Sequence, residues 1–425
     1  MKIFVIIFII AALAVFTLAE YAFFESGDTP ETEYNTMEKT PPKEHSGLTK
    51  AIWLSQYDLC DIYFDGTEQR SASEFQDLMK TVLDNCSALG FDTIIVQLRP
   101  NGDSMYPSSL FCPSSYVVGA YGEDFSYDPF SLIVSLAKSR GLAVHAWLNP
   151  LRLMTSKQIK SVDENYIIRK WWNDKEKRGK YIVEFEGRLY LNPAYSQVRE
   201  LICRGAEEVA QRYEIDGVHI DDYFYPHGIG DGFDSAAYEL FANGTSLSSW
   251  RRENISSLVK GMYETVKSVD EQLLFGVSPG GNLSNVYNLD FADVYKWCSS
   301  EGYIDYICPQ IYFGLLHETC AFDATYEKWE KLVRAQGIEL YVGITLGKAV
   351  NGAGGICDAY AGSGRDEWIE SDRVIADCLE FLKDKASLSG ISVFCYGYFY
   401  DPLTGAANPA LSSALRNFLP VWEEM

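Results

Sequence analysis

The chain has 425 residues, 47% hydrophobic and 14% aromatic, with a formal net charge of −23. That much apolar material buries a sizeable core and excludes disorder over most of the length. So acidic a surface repels nucleic-acid phosphates and excludes a DNA or RNA partner; otherwise it reads as a solvated surface that aids solubility.

After Lys2, residues 3–19 are apolar and uncharged until Glu20 ends the run. This is long for a signal-peptide core and slightly short for a membrane span. With small residues at Thr17-Leu18-Ala19, residues 1–20 are a cleaved signal or a retained anchor. Both send the rest of the chain out of the cytoplasm, so it is expected to be secreted or at the cell surface. Membrane contact is expected only through this segment. Residues 21–49, rich in Glu, Thr, Pro and Ser, read as a flexible polar linker.

From residue 50 short apolar runs alternate with amphipathic ones. Strands are predicted over 51–57, 93–98, 143–148, 217–221, 273–277, 303–311, 340–345 and 390–396. Helices are predicted over 72–88, 130–140, 196–213, 249–269, 290–299, 324–336, 371–385 and 409–418. Eight of each in alternation predict a closed (β/α)8 TIM barrel over 50–418, with a doubly wound open sheet as the alternative. Helix-to-strand turns are tight, whereas the strand-to-helix loops 99–129, 149–195, 222–248 and 346–370 are long. Those loops share one face of a barrel, so a deep groove suited to an extended polymer is expected there.

Of ten cysteines, Cys203, Cys308, Cys378 and Cys395 fall in apolar strand or helix patterns and read as buried thiols. Cys60 and Cys112 fall in loops, where pairing stays open. No Cys/His spacing suggests zinc, and Gly352-Ala353-Gly354-Gly355 lacks a phosphate-loop Lys-Ser/Thr. No cofactor or metal is expected.

Ile215-Asp216-Gly217-Val218-His219-Ile220-Asp221-Asp222-Tyr223-Phe224-Tyr225-Pro226 runs from an apolar strand into two carboxylates and then aromatics. Acids at the end of a buried parallel strand are costly unless they find partners or serve a purpose. They either cap a loop, hold a cation or do chemistry. Glycosidases generally use two carboxylates, and the other strand ends here are poor in acids. Adjacent acids match substrate-assisted hydrolysis of N-acetylated sugars, in which the acetamido oxygen is the nucleophile. Asp221 then orients the acetamide and Asp222 is the acid/base, or the reverse; like-charge repulsion would keep the acid protonated. Gln97, Arg99, Asn149, His219, Tyr223, Gln310, Tyr312, Tyr396 and Tyr398 are the candidate substrate-binding residues, His219 doubling with His145 as a candidate interior hydrogen-bonding group. Trp53 and Trp147 read as core; Trp171 and Trp172, in a long loop, are candidate sugar platforms.

Several stretches together carry a family resemblance: Val96-Gln97-Leu98-Arg99-Pro100, His145-Ala146-Trp147-Leu148-Asn149-Pro150, Arg188-Leu189-Tyr190-Leu191-Asn192-Pro193, the Asp216 to Pro226 string and Pro309-Gln310-Ile311-Tyr312. The chain resembles the glycosyl-hydrolase-like 10 family over nearly all of its folded part. The resemblance implies a TIM-barrel hydrolase of bacterial cell-envelope or extracellular glycan. Peptidoglycan strands stripped of stem peptides are the leading substrate, which agrees with the acetamide chemistry. Two alternatives stand. One is a hydrolase of another polysaccharide, with Asp401 or Glu253 as the second acid; the other is a non-catalytic glycan-binding envelope protein.

Overall fold

The computed structural model describes residues 47–425, so the expected signal or anchor and nearly all of the linker lie outside the described residues. Among the described residues no helix is long and apolar enough to cross a membrane.

Among the described residues eleven strands form, in chain order: β1 (Thr49–Leu54), β2 (Thr93–Arg99), β3 (Ala143–Leu148), β4 (Arg152–Thr155), β5 (Ile182–Phe185), β6 (Arg188–Leu191), β7 (Gly217–Ile220), β8 (Leu274–Val277), β9 (Tyr306–Ile307), β10 (Glu339–Thr345) and β11 (Leu388–Phe394). Eight of them, β1, β2, β3, β7, β8, β9, β10 and β11, close a parallel barrel in that order. Pairing of β11 back onto β1, Ile52 opposite Val393, excludes the open sheet. The expected strands and helices are nearly all present but several shift at their ends, and the expected strand 303–311 is reduced to the two residues of β9. Residues 55–57 leave β1 because Ser55 and Asp58 form a capping box that starts helix Gln56–Tyr63. The last helix runs to Glu424, past the expected end at 418.

Strand alternation sorts the core in two. Outward side chains such as Ile52, Leu54, Ile94, Val96 and Val144 pack against the helices. Inward ones, including Trp53, Ile95, Trp147, Tyr306 and Tyr341, fill the barrel interior as a separate cluster. Space for such large rings comes from inward glycines: a Cβ on Gly276 would lie 1.8 Å from the Tyr306 ring. All ten cysteines, Cys60 and Cys112 included, are free thiols.

The long loop after β3 holds structure that periodicity did not reveal. β4, β6 and β5 form a small antiparallel sheet in which Arg152 pairs with Tyr190. Trp171 and Trp172 lie in helix Ile167–Asn173 and are buried, Trp171 against Tyr181 and Trp172 beneath the Arg178 guanidinium. They are packing residues, not sugar platforms.

Candidate active site at the mouth of the barrel

Asp221 follows β7 and is 3% exposed. Its Oδ2 accepts a 2.8 Å hydrogen bond from Asn149 Nδ2, and its Oδ1 a long one from the Tyr223 backbone N–H. Asn149 is itself aimed: its Oδ1 accepts from Gln97 Nε2 at 2.9 Å, and Gln97 Oε1 accepts from the Gln56 backbone N–H at 2.9 Å. Three adjoining barrel strands thus hand a fixed orientation from one side chain to the next. Burial, with the charge of Asp222 next, pushes the Asp221 carboxyl well above the usual carboxylate range.

Asp222 is half-buried and more open than its neighbour. Burial, then the charge of Asp290, push its carboxyl up to about 6; His227 and a hydrogen bond from Gln310 pull the other way. Gln310 is held by donating to the Ser278 carbonyl at 3.0 Å. Asp290 is buried and makes an ion-pair contact with His227 Nε2. Sequence pattern alone marks neither residue. His227 lies one residue beyond the Ile215 to Pro226 string, and Asp290 comes from the loop after β8, inside a stretch expected to be helical. The helix starts only at Val294, and Phe291 at φ 54 turns the chain just after Asp290. Tyr312 is half-buried, its ring 6.1 Å from Phe394 and within electrostatic reach of Asp222. The Tyr223 ring lies under the Arg152 guanidinium, 4.5 Å from its centroid.

His219 sits below this mouth as part of the barrel filling. Trp53 Nε1 donates to His219 Nε2 at 3.3 Å, and His219 Nδ1 meets the Tyr306 hydroxyl at 2.8 Å. That hydroxyl also meets His145 Nδ1 at 2.9 Å. Because Nε2 of His219 accepts, Nδ1 must donate to Tyr306, which in turn donates to His145. Burial holds both imidazoles neutral, lowering His145 to about 4 and His219 well below its usual value. Both ring nitrogens of His219 are occupied, so it supports the site instead of touching a ligand.

Two further expected binders point elsewhere. Arg99 does not continue the inward row of Ile95 and Gln97, because the β2–β3 register shifts between Gln97 and Arg99. The bulge turns its side chain to the helix side, 1% exposed, 4.3 Å over the Phe111 ring and against Gly205. Tyr396 lies in a helical turn, Tyr396–Phe399, beyond the end of β11, and its hydroxyl accepts from Asn85 Nδ2 at 3.0 Å on an outer helix. The same turn brings Tyr398 round to Phe394 and Gly347 at the mouth. Of the proposed partner acids, Glu253 is exposed and pairs with Lys296 at 2.9 Å, and Asp401 Oδ1 accepts from Leu403 and Thr404 within its own turn. Asp290 is the acid that faces Asp222. Among the described residues no group of three or more His, Cys, Asp or Glu side chains is placed to hold a metal ion.

A closed parallel barrel that gathers carboxylates, amides and tyrosines at the C-terminal ends of its strands has the architecture of TIM-barrel glycoside hydrolases. The chain belongs to the glycosyl hydrolase-like 10 family, whose model matches residues 49–358. It is 32% identical over 314 residues to glycosyl hydrolase YngK of Bacillus subtilis (strain 168), covering 69% of this chain and 60% of that protein, so it spans less than two thirds of that relative. Over 402 residues it is 29% identical to glycosyl hydrolase DigH of Escherichia coli (strain K12), with 87% and 88% of the two chains covered. The PgaB (BpsB) glycoside hydrolase domain from Bordetella bronchiseptica superposes with a TM-score of 0.54 at 11% identity, over 88% of this chain and 99% of that one. That likeness speaks for the fold alone.

Proposed function

We propose that the protein is a glycosidase of N-acetylated cell-wall glycan, peptidoglycan strands stripped of stem peptides, working with retention through the substrate's own acetamide. The observation that carries this reading is the adjacent, unequal acid pair. Asp221 is buried and held as an acceptor from two sides, as suits a group that orients an acetamide N–H. Its raised carboxyl gives up its proton when that N–H donates to it, since hydrogen bonds to the charged form favour ionisation. Asp222 is open to the mouth and raised to about 6, as suits an acid working near neutral pH. The acetamido oxygen attacks the anomeric carbon while Asp222 gives its proton to the departing glycosidic oxygen. Asp222 then takes a proton from the water that opens the cyclic intermediate, restoring the acetamide and the acid. The apolar run at residues 3–19 supports delivery to the cell surface or beyond, where such glycan lies.

Digestion of denuded peptidoglycan glycan, with mass analysis of the products, tests the reading. Released fragments are expected from the natural chain and a loss of about 10³-fold or more from Asp222→Asn. Binding without products would leave only a glycan-binding role.

The Asp290 contact supports a second reading, a conventional carboxylate pair of Asp222 and Asp290 acting on a polysaccharide without acetamido groups. Cleavage of a de-N-acetylated glycan as fast as the acetylated one would favour it.

A further inference from the structure

Arg152 opens β4 and is half-buried at the barrel mouth, its guanidinium stacked on the ring of Tyr223, the residue directly after the acid pair. Tyr57, Tyr190 and Asp221 are its other electrostatic neighbours. Among the described residues its side chain makes no hydrogen bond and no ion pair. Arg188 and Arg251, by contrast, are engaged. Arg188, on the neighbouring strand β6, donates to Asn101 Oδ1 at 2.8 Å and to the Leu153 carbonyl at 2.9 Å. Arg251 pairs with Asp234 through Nε and Nη2. Arg99 lacks hydrogen-bond partners on its terminal nitrogens, but Phe111 and Gly205 wall it in. Asp221, the nearby carboxylate, is already held by Asn149 and the Tyr223 backbone.

An arginine fork set over an aromatic ring, with its N–H groups unspent, can take a planar anion bidentately. Neutral sugar hydroxyls need no such cation. A chain of net charge −23 otherwise repels acidic ligands, which makes one oriented cation beside the acids count for more.

We propose that Arg152 forms a subsite for a carboxylate-bearing sugar unit next to the bond that is cleaved. The proposal rests on the glycan-hydrolase reading and sharpens it. In a peptidoglycan strand the acidic group is the lactyl carboxylate of alternate sugars, and it is free only where the stem peptide has been removed. Arg152 thereby turns the absence of peptide into affinity. A uronic-acid polymer offers the same chemical group from a different source.

The test is equilibrium binding by the full chain carrying Asp222→Asn, so that no ligand is consumed. Four glycans are compared: denuded peptidoglycan fragments, the same fragments with their carboxylates converted to methylamides, uncharged N-acetylglucosamine oligomers, and uronate oligomers. The free acid is expected to bind about tenfold or more tightly than its methylamide. Adding Arg152→Gln should erase that preference while leaving affinity for the uncharged oligomer, which shows that the fold is intact. Arg152→Lys, which keeps the charge without the fork, should retain part of it. Equal binding of acid and methylamide, a preference that survives Arg152→Gln, or no binding of any carboxylated glycan would overturn the subsite. A preference for uronate oligomers lost with Arg152→Gln would uphold the subsite and move the substrate away from peptidoglycan. Hydrolysis is read separately with Asp222 intact. Cleavage of acid and methylamide at equal kcat/KM sinks the subsite and spares the hydrolase, whereas selective binding without cleavage does the reverse.

Discussion

Asn149 Nδ2 donates to Asp221 Oδ2 at 2.8 Å, and through that bond β2 and β3 set the orientation of a carboxylate that belongs to β7. Asn149→Ala removes the donor and frees Gln97 as well, since its amide donates to Asn149. Misplacing a catalytic group by about 1 Å costs on the order of 10²-fold in rate. A fall of about 10–100-fold in kcat with little change in KM is therefore expected, measured on glycan fragments. Gln97→Ala, one step further out, should give a smaller loss of the same kind.

The raised Asp222 carboxyl has consequences for rate and for stability. An acid with a pKa of about 6 loses its catalytic proton as the medium turns alkaline, so kcat/KM should fall as pH rises through that value. The folded state also holds this proton more tightly than the unfolded chain, whose value is the ordinary 3.8. Stability therefore declines as pH rises from about 4 to about 6 and levels off beyond. Asp222→Asn does not titrate. It should be inactive yet more stable than the natural chain at pH 7, by on the order of 1–3 kcal/mol, with the gap closing near pH 4. Urea unfolding at the two pH values checks this.

The barrel was legible in the sequence because buried parallel strands are short apolar runs that alternate with amphipathic helical ones. Asp221 and Asp222 were legible because charge at the end of such a run is anomalous. What failed was local geometry that breaks the period. A bulge turned Arg99 outward and a helical turn turned Tyr396 away, though neighbours at the right spacing stayed in place. His227 and Asp290 come from loops, and Arg152 from the short strand β4, and only tertiary packing decides their contacts. The capping box at Ser55 was readable and would have shortened β1.

Tyr306 carries the polar interior of the barrel on one hydroxyl, bridging His145 and His219 at 2.9 and 2.8 Å. Tyr306→Phe keeps the ring stacked on Tyr341, 4.6 Å between centroids, but strands one nitrogen of each imidazole in a dry core. Each stranded group costs on the order of 1–3 kcal/mol. The variant should unfold at markedly lower urea concentration while the pH dependence of kcat/KM stays where it was, because neither histidine titrates in the working range.

Asp290 and His227 act on Asp222 with opposite sign, which separates a positioning role from a catalytic one. Groups facing Asp222 include Asp221 beside it, Asp290 and His227 from two loops, Gln310 by hydrogen bond, and Tyr223 and Tyr312. Asp290→Asn removes the larger charge effect, so Asp222 should lose its proton at lower pH. Activity at pH 7 should drop about three- to tenfold while kcat at pH 5 is kept. His227→Gln removes the opposing pull with Asp290 still charged, and the alkaline limb should move up. The double variant should fall between the two. If instead Asp290→Asn abolishes turnover at every pH, Asp290 touches the substrate as the second carboxylate, and the acetamide mechanism gives way to the conventional pair.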